Sequence, residues 1–183
     1  MNKFRVRKAD DYKKNFDFLS DNTNICNAAY HLQFLEHCWT NRKTLESTTR
    51  SLMNRTIIVE LASIVELVLF ELLSNANVEL VPKKNKKRLE IESNIGLGRL
   101  ISKAKYYELI EADMSKRLNK LNEGRNSIHF KQFKEKRILE YDYYTDDMVD
   151  QAVETFVEFL KAMYSKVRGI KKLDNQFAWP WKA

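Results

Sequence analysis

Apolar side chains recur along most of this chain at steps of three and four, the spacing of one face of an α-helix. Between residues 22 and about 41 the positions Ile25, Ala28, Ala29, Leu32, Leu35 and Trp39 form such a stripe and predict the first main helix. From about 44 to 74 neither Pro nor Gly interrupts the chain. A helix of that length runs to roughly 45 Å at 1.5 Å per residue. From Ile57 onward it is apolar almost all round, apart from Glu60, Glu66 and Glu71. Such a helix must be covered on most sides, which predicts the central element of a bundle. Leu97, Leu100, Ile101 and Ala104 give a further stripe, and a helix from about 112 to 129 follows. Val149, Ala152, Val153, Phe156, Leu160 and Met163 mark the core face of the last long helix.

Punctuation agrees with these runs. Thr145 followed by Asp146 and Asp147 predicts an N-terminal cap and an acidic first turn, and Gly169 predicts the C-terminal stop. Residues 75–88 are polar, contain Pro82 and the basic run from Lys83 to Arg88, and read as a solvated connection between two helical hairpins. The E-Y-D-Y-Y stretch at 140–144 reads as a loop. Gly96 and Gly98 make only a G-x-G without the third glycine or a flanking strand, so close helix packing is the plainer reading than a dinucleotide loop. The charged first twenty residues carry Phe4, Tyr12, Phe16 and Phe18, enough for a short docking helix. The tail N-Q-F-A-W-P-W-K-A is too aromatic to lie loose in water and is expected to pack back or to meet a partner. The fold class is therefore all-α: a helical bundle of four or five main helices with short accessory helices over residues 21–168. An N-terminal appendage (1–20) precedes it and an aromatic C-terminal tail (169–183) follows.

Composition sharpens this reading. Two prolines and four glycines in 183 residues leave helices uninterrupted, and a formal net charge of +7 favours polyanionic partners. Cys26 and Cys38, twelve apart, supply neither a zinc ligand set nor a disulfide framework and are expected to act as small buried hydrophobes in a reducing, cytoplasmic setting. His31 and His37 lie on opposite sides of their helix and share no metal site. No metal or other cofactor is expected. The three glutamates of the most apolar segment would each cost roughly 2.5–3.5 kcal/mol or somewhat less in a membrane, so a buried helix is expected there and no membrane association.

The stretch G-R-N-S-I-H-F at 124–130 carries the chemistry. On a helical wheel Arg125 and His129, one turn apart, flank Leu118 on the apolar side. An arginine there keeps its charge and needs a carboxylate, a phosphate or water within reach. Two readings follow. Arg125 pairs with an inward carboxylate such as Glu66 while His129 supports the helix end, or the pair lines a cleft and handles a phosphodiester.

The R-N-S-I-H-F stretch resembles the signature of the HEPN superfamily: Arg125, the polar Asn126 directly after it, and His129. The segments I-G-L-G-R-L-I-S-K-A-K-Y-Y-E-L-I before the motif and Y-Y-T-D-D-M-V-D-Q-A-V-E-T-F-V-E-F-L after it are also similar to these domains, so the resemblance spans roughly residues 20–168. One departure is the spacing, since only three residues separate Arg125 from His129, fewer than is usual in the family.

The resemblance implies a metal-independent endoribonuclease, of the kind found in toxin–antitoxin or phage-defence systems, that cleaves single-stranded RNA by attack of a ribose 2′-hydroxyl on the adjacent phosphorus. His129 would serve as general acid or base, Arg125 would stabilise the phosphoryl charge, and Asn126 would orient the pair or hold the phosphate. A homodimer with facing motif helices and a cognate antitoxin or regulatory protein are implied as partners besides RNA. Lys131, Tyr143 and Tyr144, with Tyr141, are candidate RNA contacts. A catalytically inactive RNA-binding or protein-interaction module of the same fold is the alternative.

Overall fold

The computed structural model of the chain describes residues 7–75, 91–127, 140–172 and 174–181. Among these residues the protein is all-helical, as the periodicity predicts. The helices are α1 (Ala9–Lys13), α2 (Asn22–Arg42), α3 (Ser47–Ser74), α4 (Leu97–Tyr106), α5 (Ala112–Asn126), α6 (Glu140–Tyr143) and α7 (Asp146–Arg168), with a 3₁₀ turn at Asp174–Gln176. None of them is long and apolar enough to cross a membrane.

Local chemistry sets the helix ends. The Asp21 carboxylate accepts from the N–H groups of Thr23 and Asn24 and starts α2, and Glu46 accepts from Thr49 N–H and starts α3. The α3 start therefore falls later than the position near 44 that the breaker-free run suggests. Thr145 accepts from Met148 N–H at the head of α7. Gly169 ends α7 with φ 68°, the left-handed region that glycine enters without steric cost. The E-Y-D-Y-Y stretch, expected as a loop, contains the single turn α6 instead, and Tyr143 in it and Tyr144 just after it anchor this corner to α5 as described below.

α3 is the hub and packs against α2, α4, α5, α6 and α7. Ile57, Ile58, Leu61, Ala62, Ile64, Val65, Val68 and Leu69 are all sealed from solvent, the burial that an all-round apolar helix requires. The α7 stripe is wider than the six positions read from the sequence, because Phe159 and Tyr164 are buried as well.

Both chain ends belong to the same core. Tyr12 and Phe16 are sealed from solvent, and the tail returns along them so that Phe177, Ala178 and Trp179 are buried too. Trp179 stacks on Phe177 and on Trp181, with ring centroids 4.9 and 5.7 Å apart. Buried Asn15 joins the two ends, donating from Nδ2 to the Ala178 carbonyl (2.5 Å) and accepting from Ala178 N–H (2.8 Å). Of the two fates the tail's composition allows, it packs back. The appendages set apart at 1–20 and 169–183 are, in their described residues, continuous with the bundle.

Candidate functional site

The C-terminal end of α5 holds the motif. Gly124 lets α5 approach α3 closely: a side-chain carbon there would lie 3.1 Å from Cγ2 of Ile58. The Gly124 carbonyl accepts from the Tyr144 hydroxyl (3.1 Å), and the Ser127 hydroxyl donates to the Glu123 carbonyl (2.8 Å) while meeting the Tyr143 hydroxyl at 3.1 Å. Two tyrosines of the α6 corner thus pin the last turn of α5.

Arg125, held between these contacts, directs Nη1 to Oε2 of Glu66 on α3 at 2.8 Å. This is the carboxylate the sequence nominates. Both side chains keep about a quarter of their surface in water (28% and 25%), so the pair sits at a rim and not in the interior. Arg125 and Asn126 line one surface cleft of about 520 Å³ together with Glu66, Asn122, Arg99 and the start of α4. Asn122 is placed there because it precedes Arg125 by three residues and shares its helix face. Gly98 brings α4 close, since a side-chain carbon there would lie 3.2 Å from Nδ2 of Asn122. Close helix packing is therefore what this glycine serves. The N-cap of α4, Gly96, offers no side-chain hydrogen bond, and the first turn carries no acidic residue. The N-terminal end of α4 thus brings its partial positive charge to the cleft wall with no cap or acidic side chain of its own to offset it.

The other motif and contact residues fall as follows. Asn126 is the last residue of α5 and is exposed. The helix expected to reach about 129 gives way to its C-cap at Ser127, whose hydroxyl turns back on the Glu123 carbonyl and competes with continuation. His129 and Lys131 lie outside the described residues, as does the side chain of Tyr141. Tyr144 is a correction: it is buried, its hydroxyl spent on Gly124, and it presents no ring face to a base. Tyr143 is half-buried and lines a separate cleft between α5 and α7, beside Met148 and Gln151.

Of the other reactive side chains His31 and Cys38 serve structure, while Cys26, expected to be buried, is only half-buried because it stands at the edge of the α2 stripe. Nδ1 of His31 makes a hydrogen bond to Glu60, which holds the imidazole pKa above its ordinary value against the opposing effect of burial. Burial pushes the Cys38 thiol up to about 11, so it stays protonated at neutral pH, as a small buried hydrophobe should. Arg99 and Asn122 are cleft residues that the sequence reading passed over. Their signal was present in the helical spacing from Arg125 and in the arginine directly after Gly98.

Comparison with protein-family models, with curated proteins and with solved structures finds no match to this chain.

Proposed function

We propose that this protein is a metal-independent endoribonuclease of the HEPN type, cleaving single-stranded RNA through attack of a 2′-hydroxyl on the neighbouring phosphorus. The observation that carries the reading is the shared cleft of Arg125 and Asn126: a partly exposed guanidinium, two amide side chains, Arg99 and an uncapped helix N-terminus converge on one open space. Each is a donor suited to phosphoryl oxygens. Arg125 stabilises the negative charge that accumulates on the phosphoryl oxygens as the phosphorane forms, and Asn126 orients the phosphate. His129 takes the proton from the attacking hydroxyl or delivers one to the leaving 5′-oxygen, the proton-transfer role to which an imidazole is suited. A homodimer is part of this proposal, as are a cytoplasmic setting and a partner protein that restrains the nuclease in a toxin–antitoxin or defence pair.

The second reading, an inactive RNA-binding or protein-interaction module of the same fold, is favoured by one observation. The Arg125–Glu66 ion pair already satisfies part of the guanidinium. The two readings separate on incubation of mixed single-stranded RNA with the purified protein in excess chelator, beside Arg125→Ala and His129→Ala. The enzyme reading expects cleavage by the wild type alone. Binding without cleavage supports the silent module, and equal cleavage by all three proteins removes the nuclease claim.

A further inference from the structure

The cleft that holds Arg125 does not stop at Glu66. A second groove of about 410 Å³ continues from it, and the two share Glu66 and Gly96 as common walls. The ends of this trough differ in chemistry. On the Arg125 side it is lined by Arg99, Asn122, Arg125 and Asn126, and on the far side by Leu67, Phe70, Ser93 and Asn94.

The far wall is a stripe of α3 itself. Ser63, Glu66, Leu67 and Phe70 follow one another at steps of three, one and three, which is a single helix face. α3 is otherwise the most deeply covered helix, yet Leu67 and Phe70 remain only partly buried on this face. Phe70 stands about one turn beyond Glu66, roughly 6 Å along the axis at 1.5 Å per residue. That is comparable to the reach from a nucleotide's phosphate to its own base. Across the groove, exposed Ser93 and Asn94 carry hydrogen-bonding groups able to meet a base edge.

From this juxtaposition we infer that the groove is a nucleobase subsite. The base of one single-stranded RNA nucleotide packs on Phe70 and Leu67 and presents its edge to Ser93 and Asn94, while its phosphate lies in the Arg125 cleft. The inference rests on the nuclease reading for the identity of that phosphate. Glu66, at the junction, carries the one negative charge among the described residues lining either groove. Among those residues both arginines lie on one side of it and none on the other, so the backbone passes on the Arg125 and Arg99 side while only the uncharged base crosses to Phe70. Stacking of this kind tolerates any base, and Asn94, with a donor and an acceptor on its amide, supplies the preference.

The test uses the full chain and two probes of equal length: a uridine octamer carrying 2′-O-methyl groups, which resists 2′-hydroxyl attack, and an abasic ribose-phosphate octamer. Affinities are measured by anisotropy for the wild type, Phe70→Ala and Phe70→Trp. The wild type is expected to prefer the base-bearing probe. Phe70→Ala is expected to lose about tenfold on that probe, the effect typical of one stacked base, and to bind the abasic probe as before. Phe70→Trp, which keeps a stacking face, is expected to retain the preference even if it is less stable. An unchanged preference in Phe70→Ala overturns the subsite and leaves the nuclease reading standing if the wild type still cleaves RNA. Absence of binding to either probe by the wild type overturns both.

Discussion

Arg125 and Glu66 join α5 to α3 by a 2.8 Å ion pair whose members each remain about one-quarter exposed, 28% and 25%. A pair so placed stabilises little, because water screens it and two long side chains must be held. Glu66→Gln and Arg125→Ala are each expected to cost about 1 kcal/mol or less in urea unfolding. Their effects on RNA should diverge. Removing the carboxylate leaves Arg125 free for phosphate and should tighten binding severalfold at low salt, whereas Arg125→Ala should weaken it. If both substitutions instead cost several kcal/mol with no difference in RNA affinity, the pair is a structural tie and the cleft is not an anion site.

The two tight glycines should respond in opposite ways to alanine. At Gly124 the new methyl would press on Cγ2 of Ile58, a residue only 1% exposed and closed in on all sides. The helix-propensity gain of up to ~1 kcal/mol is then outweighed by overpacking, which typically costs about 1–3 kcal/mol. At Gly98 the neighbour is the far end of the half-buried Asn122 side chain, which can rotate away. Gly98→Ala should be neutral or slightly stabilising, while Gly124→Ala should lower Tm by a few degrees, at roughly 2–4 °C per kcal/mol for a chain of this size. Adding Ile58→Leu to Gly124→Ala should restore part of the loss, since leucine lacks the Cγ2 methyl that the new side chain crowds.

Stability should fall as pH rises through the His31 transition. The Glu60 hydrogen bond raises the folded pKa of His31 above its ordinary value of 6.5. The protonated pair therefore contributes fully below about 6.5, and its contribution is lost as pH climbs through the elevated folded value. His31 is 40% exposed, so the amplitude is small. Tm measured from pH 6 to pH 9 should decline for the wild type and show a flatter profile in Glu60→Gln. Identical profiles would remove His31 as the source.

The chain ends should be indispensable. Trp179 is 1% exposed and packs edge-on against Phe156 as well as stacking on its neighbours in the tail. Trp179→Ala is expected to cost about 3–5 kcal/mol, in the range of large aromatic truncations in cores. Asn15→Ala strands both partners of its two buried hydrogen bonds and should cost about 1–3 kcal/mol. Chemical denaturation of both variants checks this, and a loss below 1 kcal/mol for Trp179→Ala would show the tail to be a dispensable cover.

These ends also show where sequence reasoning runs out. The long helices were legible because periodicity and caps are local: Thr145 and Gly169 frame α7, and the unbroken apolar run from Ile57 announces the hub. The Arg125–Glu66 partnership was legible too, since an inward arginine demands a carboxylate and the central helix offers few. Contacts that depend on distant chain folding left no such trace. Asn15 bonds residue 178, and buried Arg42 reaches Asp150 at 3.0 Å across the bundle. Glu71 accepts from Ser20 N–H (2.6 Å), Asp21 N–H (3.0 Å) and the Asn24 amide (2.9 Å), a gathering of donors around a charge that reads in one dimension only as an interruption of an apolar run. In the candidate site, Asn126 lines the cleft beside Arg125, while Tyr144 was misread because an aromatic beside a motif looks the same in sequence whether it faces RNA or the core.

The most direct test of the central claim is the chemistry of the RNA ends. Single-stranded RNA is incubated with the wild-type protein in excess chelator, in parallel with a substrate whose riboses are replaced by 2′-deoxyribose, and the products are resolved by mass spectrometry. Fragments ending in 2′,3′-cyclic phosphate, absent from the deoxy substrate and from reactions of Arg125→Ala and His129→Ala, are the predicted result. Intact RNA under all conditions, or fragments with other end groups that persist in both variants, would contradict it.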